Sequence, residues 1–191
     1  MIIFFCVVQG VFMKQKMKKI YIVLTYTGTI LSRIIKLYTK AEFSHVSIAL
    51  DSELKEMYSF GRLNPYNPFI GGFVHEGIEI GTFKRFKNTK TANYSFELTH
   101  KQYNRLKKLI KKMNHEKNIY GFNIIGLFAS AFNIKIKKQN CFYCSEFVKY
   151  LIEKCKLGIK LPKIIKPNDF KKIDSLNLIY KGILKEYNIC S

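Results

Sequence analysis

The sequence predicts an α+β fold in which a mainly antiparallel sheet packs against a helix that starts with a cysteine. Three patterns predict it. Residues 20–26 form a β-branched apolar run and residues 43–50 alternate strictly, as strands do. The short polar connection Asp51, Ser52, Glu53, Leu54 leads into a further apolar-polar run at 55–60, which reads as a hairpin. Cys144, Phe147, Val148, Leu151 and Cys155 recur at the three-and-four spacing of one helical face. A chain of 191 residues is long enough to bury one sizeable core.

The opening residues, 1–12, are a hydrophobic stretch with no charged region before it and no small-residue cleavage site after it, too short to span a bilayer. Met13 and Met17 offer later starts. Residues 1–16 are therefore read as an N-terminal extension arising from an upstream mis-start, and 17–191 as a single domain. The alternative is an aberrant signal or anchor that ties the chain to a membrane. After the first strand, Gly28 breaks the run and Thr29 caps a helix over 30–38. In the alternating strand Val46, Ile48 and Leu50 face one way, and His45, Ser47 and Ala49 the other. The second face is small beside the histidine, so a helix carrying Cys144 could fill it.

Hairpin pairing with a loop of two or four residues sets Ala49 across from Glu56, Ser47 from Tyr58 and His45 from Phe60. A shift of one turns Ser59 inward instead. Residues 61–72, rich in Gly, Asn and Pro, read as a loop of the kind that frames sites. Residues 73–83 and 92–98 read as strands, with His75 and Glu76 on the surface. Thr99 and Gln102 have the form of a capping box, followed by the apolar face Tyr103, Leu106, Leu109, Ile110 and Met113. A nearly all-apolar helix over 118–132 is expected to be central. Gly158 ends the cysteine helix, and 176–183 reads as a last strand.

Lys and Arg total 33 against 13 Asp and Glu, a formal net charge of +20. Such a balance suits nucleic acid, an anionic membrane surface or an acidic substrate, or is simply a solvated lysine coat. No zinc-finger spacing, RNA-recognition signature or long basic helix marks a dedicated nucleic-acid motif. Five scattered cysteines argue against a disulfide framework and for a reducing, cytoplasmic setting. Cys141 and Cys144 form a C-x-x-C, but far from the chain position of a thioredoxin-like pair and without the second ligand pair of a zinc site. Neither metal nor cofactor is expected.

A thiol at a helix start meets positive partial charge and unpaired N–H groups, which lower its pKa and can hold an oxyanion. Such a nucleophile needs a base and a group that orients the base. Cys144 is the candidate nucleophile and His45 the candidate base, about a hundred residues earlier, whereas in papain-type enzymes the cysteine comes first. Cys155 is expected in the core and Cys141 in a loop.

The segment Ser44, His45, Val46, Ser47, Ile48, Ala49, Leu50, with a hairpin partner and the later Cys144, Ser145, Glu146, Phe147, Val148, resembles the circularly permuted papain-like family. This NlpC-related group includes YiiX/YaeF-like amidases and lecithin retinol acyltransferase-like proteins. The similarity runs from Lys18 through the trailing Leu161, Pro162 and Pro167, Asn168, Asp169, Phe170. It implies a permuted papain-like fold with Cys144 as nucleophile and His45 as general base. The third, polar position falls near Tyr58, where many relatives carry Glu or His, and Glu56 is the charged alternative. The backbone N–H of Cys144 would be one oxyanion donor, and Tyr26 is a candidate second. The implied activity is that of a cysteine hydrolase, amidase/peptidase or thioesterase/acyltransferase, acting on a peptide, isopeptide or acyl-lipid. The alternative is a noncatalytic basic protein of the same fold that binds anionic membrane or nucleic acid.

Overall fold

The structure, a computed structural model, describes residues 17–188. The expected extension before Met17 lies outside the described residues. The fold is α+β. Its six-stranded sheet has the order β4-β3-β2-β1-β5-β8 with every neighbouring pair antiparallel. The strands are β1 (Lys18–Tyr26), β2 (His45–Ala49), β3 (Met57–Asn64), β4 (Asn67–Glu76), β5 (Lys90–Leu98) and β8 (Asn177–Ile183). A separate two-residue parallel pair joins β6 (Gly121–Phe122) to β7 (Cys141–Phe142). The helices are α1 (Ile30–Thr39), α2 (Gly81–Arg85), α3 (His100–His115), α4 (Ile124–Ala131) and α5 (Cys144–Lys154).

The continuous apolar run of β1 is explained by burial on both sides, because it lies inside the sheet between β2 and β5. On one face Ile20, Ile22, Val46 and Ile48 pack with Leu106 and Ile110 of α3 and Phe147, Val148 and Leu151 of α5. On the other, Tyr21, Val23, Ala49 and Met57 form a second cluster with Phe83, Leu184 and Tyr187. The cysteine helix therefore packs against the Val46 and Ile48 face. It does not fill the small face of His45, Ser47 and Ala49, as expected from side-chain size, because that face is covered by Phe83 and its neighbours.

Residues 61–72 are not a loop but most of a hairpin, with the turn confined to Pro65 and Tyr66. Asn64 Oδ1 accepts from the Tyr66 N–H at 2.8 Å and closes that turn. Gly71 serves strand packing, since a Cβ there would come within 2.7 Å of the Phe122 ring. The strand expected over 73–83 stops at Glu76 and gives way to a turn and α2. The helix expected over 118–132 is shortened to α4. Asn123 caps it through Oδ1 to the Gly126 N–H at 2.9 Å, and Ile125 and Phe132 are each 65% exposed, so it is peripheral.

The capping box forms as read: Thr99 Oγ1 accepts from Gln102 N, and Gln102 Oε1 accepts from Thr99 N. Thr99→Ala is expected to cost about 1 kcal/mol of stability in urea unfolding, with Thr99→Ser nearly neutral. Among the described residues no helix is long and apolar enough to cross a membrane.

Candidate active site

The β7 segment delivers the chain to Cys144. Its pairing with β6 is extended by Gly121 N–H to Asn140 O and Asn123 N–H to Phe142 O, each 2.9 Å, so the approach to α5 is held by backbone bonds. Tyr143 is the residue before the helix and makes no side-chain cap. The first-turn amides, including that of Cys144, thus keep free donors beside the thiol. Phe147, Val148 and Leu151 are fully buried and anchor the helix, and Cys144 is 3% exposed at the wall of a cleft with about 70 Å³ open to water.

His45 opens β2. Strands β2 and β3 pair only at Ile48 with Tyr58 and Ala49 with Met57, so the histidine stands where they separate. Gly61 of β3 leaves room for it: a Cβ there would lie 3.4 Å from His45 Cε1 and 3.5 Å from Glu76 Oε1. His45 Nε2 is 3.1 Å from Glu76 Oε1. The other carboxylate oxygen accepts from Ser47 Oγ at 2.5 Å. The buried Ser59 hydroxyl adds to the polar surroundings of the carboxylate without a hydrogen bond of good geometry. With Nε2 committed to Glu76, Nδ1 is the nitrogen left for the thiol, and His45 and Cys144 line the same cleft, close enough for each to shift the other's pKa.

The electrostatics of the three groups support one another. Burial works against the His45 cation, but the Glu76 carboxylate and the Cys144 thiol outweigh it and raise the imidazole to about 10. Burial would raise the Glu76 carboxyl, yet His45 and the Ser47 hydroxyl hold it below its ordinary value. Burial would also raise the Cys144 thiol, and the hydrogen bond and charge of His45, with the Val46 amide, bring it below the ordinary thiol range. The arrangement favours a thiolate beside an imidazolium oriented by a carboxylate.

Of the residues singled out from the sequence, Cys144 and His45 meet, while Tyr58 and Glu56 do not join them. The hairpin register is shifted by one from the expected pairing, so Tyr58 lies opposite Ile48, on the other sheet face from His45. Its ring stacks on His75 at 5.0 Å between centroids. Glu56 pairs with Lys107 Nζ at 3.5 Å. Tyr26 lies outside the cleft wall and holds Lys36 Nζ 4.7 Å over its ring. His75 is exposed as expected, with Nε2 2.8 Å from Lys55 O, but its neighbour Glu76 is buried. Glu76 was missed because it was assigned to the surface together with His75, although adjacent strand residues face opposite ways and only His75 points to solvent.

Cys155 is in the core, where burial pushes its thiol up. Cys141 is half-buried, with Sγ on the side of Gly121. Among the described residues no group of three or more His, Cys, Asp or Glu could hold a metal ion. No family model and no curated protein matches the chain.

Proposed function

We propose that the chain is a cysteine hydrolase of permuted papain-like type that works through an acyl-enzyme at Cys144. The observation that carries this reading is the Cys144, His45, Glu76 array at an uncapped helix start, open to a cleft. The chain order of histidine before cysteine and the packing of the cysteine helix on an antiparallel sheet support the permuted architecture. The free thiols of Cys141, Cys144 and Cys155 suit a reducing, cytoplasmic setting.

The Cys144 thiolate attacks the carbonyl carbon of an amide, ester or thioester, and the carbonyl π pair moves onto oxygen. The Cys144 N–H and neighbouring first-turn amides face that developing charge. Collapse of the intermediate breaks the bond to the leaving group, which takes a proton from the His45 imidazolium and departs as amine, alcohol or thiol. Neutral His45 then removes a proton from water as the water oxygen attacks the thioester. A carboxylic acid leaves, and the thiolate and imidazolium are restored. Glu76 keeps Nε2 in place and balances the imidazolium through both half-reactions.

The noncatalytic alternative gains strength from a degraded triad, and Glu76 supplies the third group that Tyr58 and Glu56 do not. The test is labelling with iodoacetamide across pH, read by intact mass and peptide mapping, together with p-nitrophenyl acetate as an acyl donor. Expected are selective alkylation of Cys144 with an apparent pKa well below about 8.5, its loss in His45→Ala, and a burst of nitrophenol with acetyl on Cys144. Alkylation of all thiols at one rate, with no acetyl transfer, would overturn the proposal in favour of binding. Steep salt-dependent retention on heparin or anionic liposomes would then identify the anionic partner.

A further inference from the structure

Among the described residues, Arg62 is the one basic side chain other than His45 that lines the catalytic cleft. It follows Gly61 on β3, and so sits one residue along the strand from the glycine that makes room for His45 and Glu76. The side chain is half-buried, and its Nη2 donates to Thr29 Oγ1 at 3.2 Å. Its guanidinium stands 5.7 Å over the Phe86 ring, and the Arg85 guanidinium stands 5.3 Å over the same ring. Arg85 is also fixed by Tyr66, 3.8 Å from its centroid, and by the Pro65 carbonyl. Both guanidinium groups thus lie within cation–π distance of one aromatic ring.

The charge of Glu76 offsets Arg62 only in part. Among the described residues no arginine takes part in an ion pair. Glu76, the acid of the cleft wall among the described residues, is engaged by His45 and Ser47. Burial, followed by the like charge of Arg85, lowers the Arg62 pKa, and the charge of Glu76 does not outweigh them. The basic character continues beyond the cleft. An adjoining hollow shares Thr27 with it and is lined by Arg33, Arg85, Lys87 and Lys90, with no acidic residue among the described ones. Partly desolvated like charges are held this way at a cost unless an anion joins them.

We infer that Arg62, backed by Arg85, selects substrates that carry an oxyanion group, carboxylate or phosphate, next to the carbonyl attacked by Cys144. The inference rests on the proposed thiol mechanism and adds the chemical class of its substrate. A guanidinium presents a planar fork of donors matched to both kinds of oxyanion, and the Phe86 ring lies 5.7 Å from it. The Thr29 hydroxyl, at the cap of α1, holds Arg62 from the other side. The anion would lie between the guanidinium and the thiol, where it sets how deeply the carbonyl enters the cleft.

Iodoacetate and iodoacetamide differ chiefly in one negative charge, so the ratio of their alkylation rates at Cys144 reads the field at the thiol. Arg62→Gln is expected to lower the iodoacetate-to-iodoacetamide ratio by about threefold or more, the effect of one screened charge. The iodoacetamide rate, measured alongside, corrects for any change in the thiol itself. Arg62→Lys should fall between, Arg85→Gln should lower the ratio less, and the surface control Lys101→Gln should leave it unchanged. An unchanged ratio in Arg62→Gln, or an equal fall for both reagents, would overturn the inference. A second readout is independent of thiol reactivity: the Arg62 Nε–H NMR signal titrated with inorganic phosphate and, separately, with acetate. Movement with phosphate alone identifies a phosphate-bearing substrate, and movement with acetate a carboxylate. No movement with either overturns the inference even if Cys144 is alkylated, and unreactive Cys144 with a moving Arg62 signal places the failure in the thiol mechanism.

Discussion

Glu76→Gln should leave the fold intact and lower the rate of Cys144 acylation by about 10²- to 10⁴-fold, the range seen when a base loses its orienting carboxylate. The amide fills the same space but no longer balances an imidazolium at Nε2. With that carboxylate gone, burial dominates and the His45 pKa drops from about 10, which removes the cation that holds the thiol ionised. The alkylation profile of Cys144 should therefore shift to higher pH, and Glu76→Asp should recover part of the rate. The same pair makes stability depend on pH. Glu76 is lowered from 4.5, so its contribution is present above that value and is lost as pH falls through the folded pKa. His45 is raised from 6.5 to about 10, so its contribution is full below 6.5 and is lost as pH rises through about 10. The stability difference between wild type and Glu76→Gln should be largest between 4.5 and 6.5 and shrink on both sides, as read by urea unfolding at each pH. A flat difference, together with an unchanged acylation rate, would show that the carboxylate has no part in the site.

The two residues at the centre of the site were legible because each sits on a regular periodicity. Cys144 begins a stripe of buried residues, and His45 begins a strand whose alternation is unbroken through Ala49. Glu76 was not legible, for two physical reasons. Gly71 and Gly72 look like turn residues, yet they lie in β4, and Gly71 is there because Phe122 approaches too closely for a Cβ. The hairpin register was also undetermined by the connection, since Asp51 draws its own turn closed by accepting from the Lys55 and Glu56 amides. That shift by one put Tyr58 on the sheet face opposite His45, against the main core, and Ser59 on the face of His45, and the orienting group comes from the next strand. The signal that was present is size: Ser47 and Ser59 are small residues facing one buried carboxylate. Arg62 could not be read at all without β3, because its neighbours in sequence resemble a loop.

Phe147→Ala is expected to destabilise the fold by about 3–5 kcal/mol, a large part of the roughly 5–15 kcal/mol by which domains are stable. The ring is fully buried and lies 5.1 Å from Phe60 and 5.6 Å from Phe73, measured between centroids. These contacts tie the first turn of α5 to β3 and β4, the strands that carry Arg62 and Glu76. Loss of the ring should therefore do more than lower the urea midpoint, because Cys144 is three residues away on the same helix. A milder change separates the two effects. Phe147→Leu keeps an apolar side chain, should cost less than the alanine variant, and should remain folded at 25 °C. If α5 is positioned through this contact, the leucine variant will show slower Cys144 acylation with its alkylation pKa preserved, since the charges of His45 and Glu76 are untouched. If instead the rate is unchanged while stability falls, the helix is held by Val148 and Leu151 and the aromatic cluster serves stability alone.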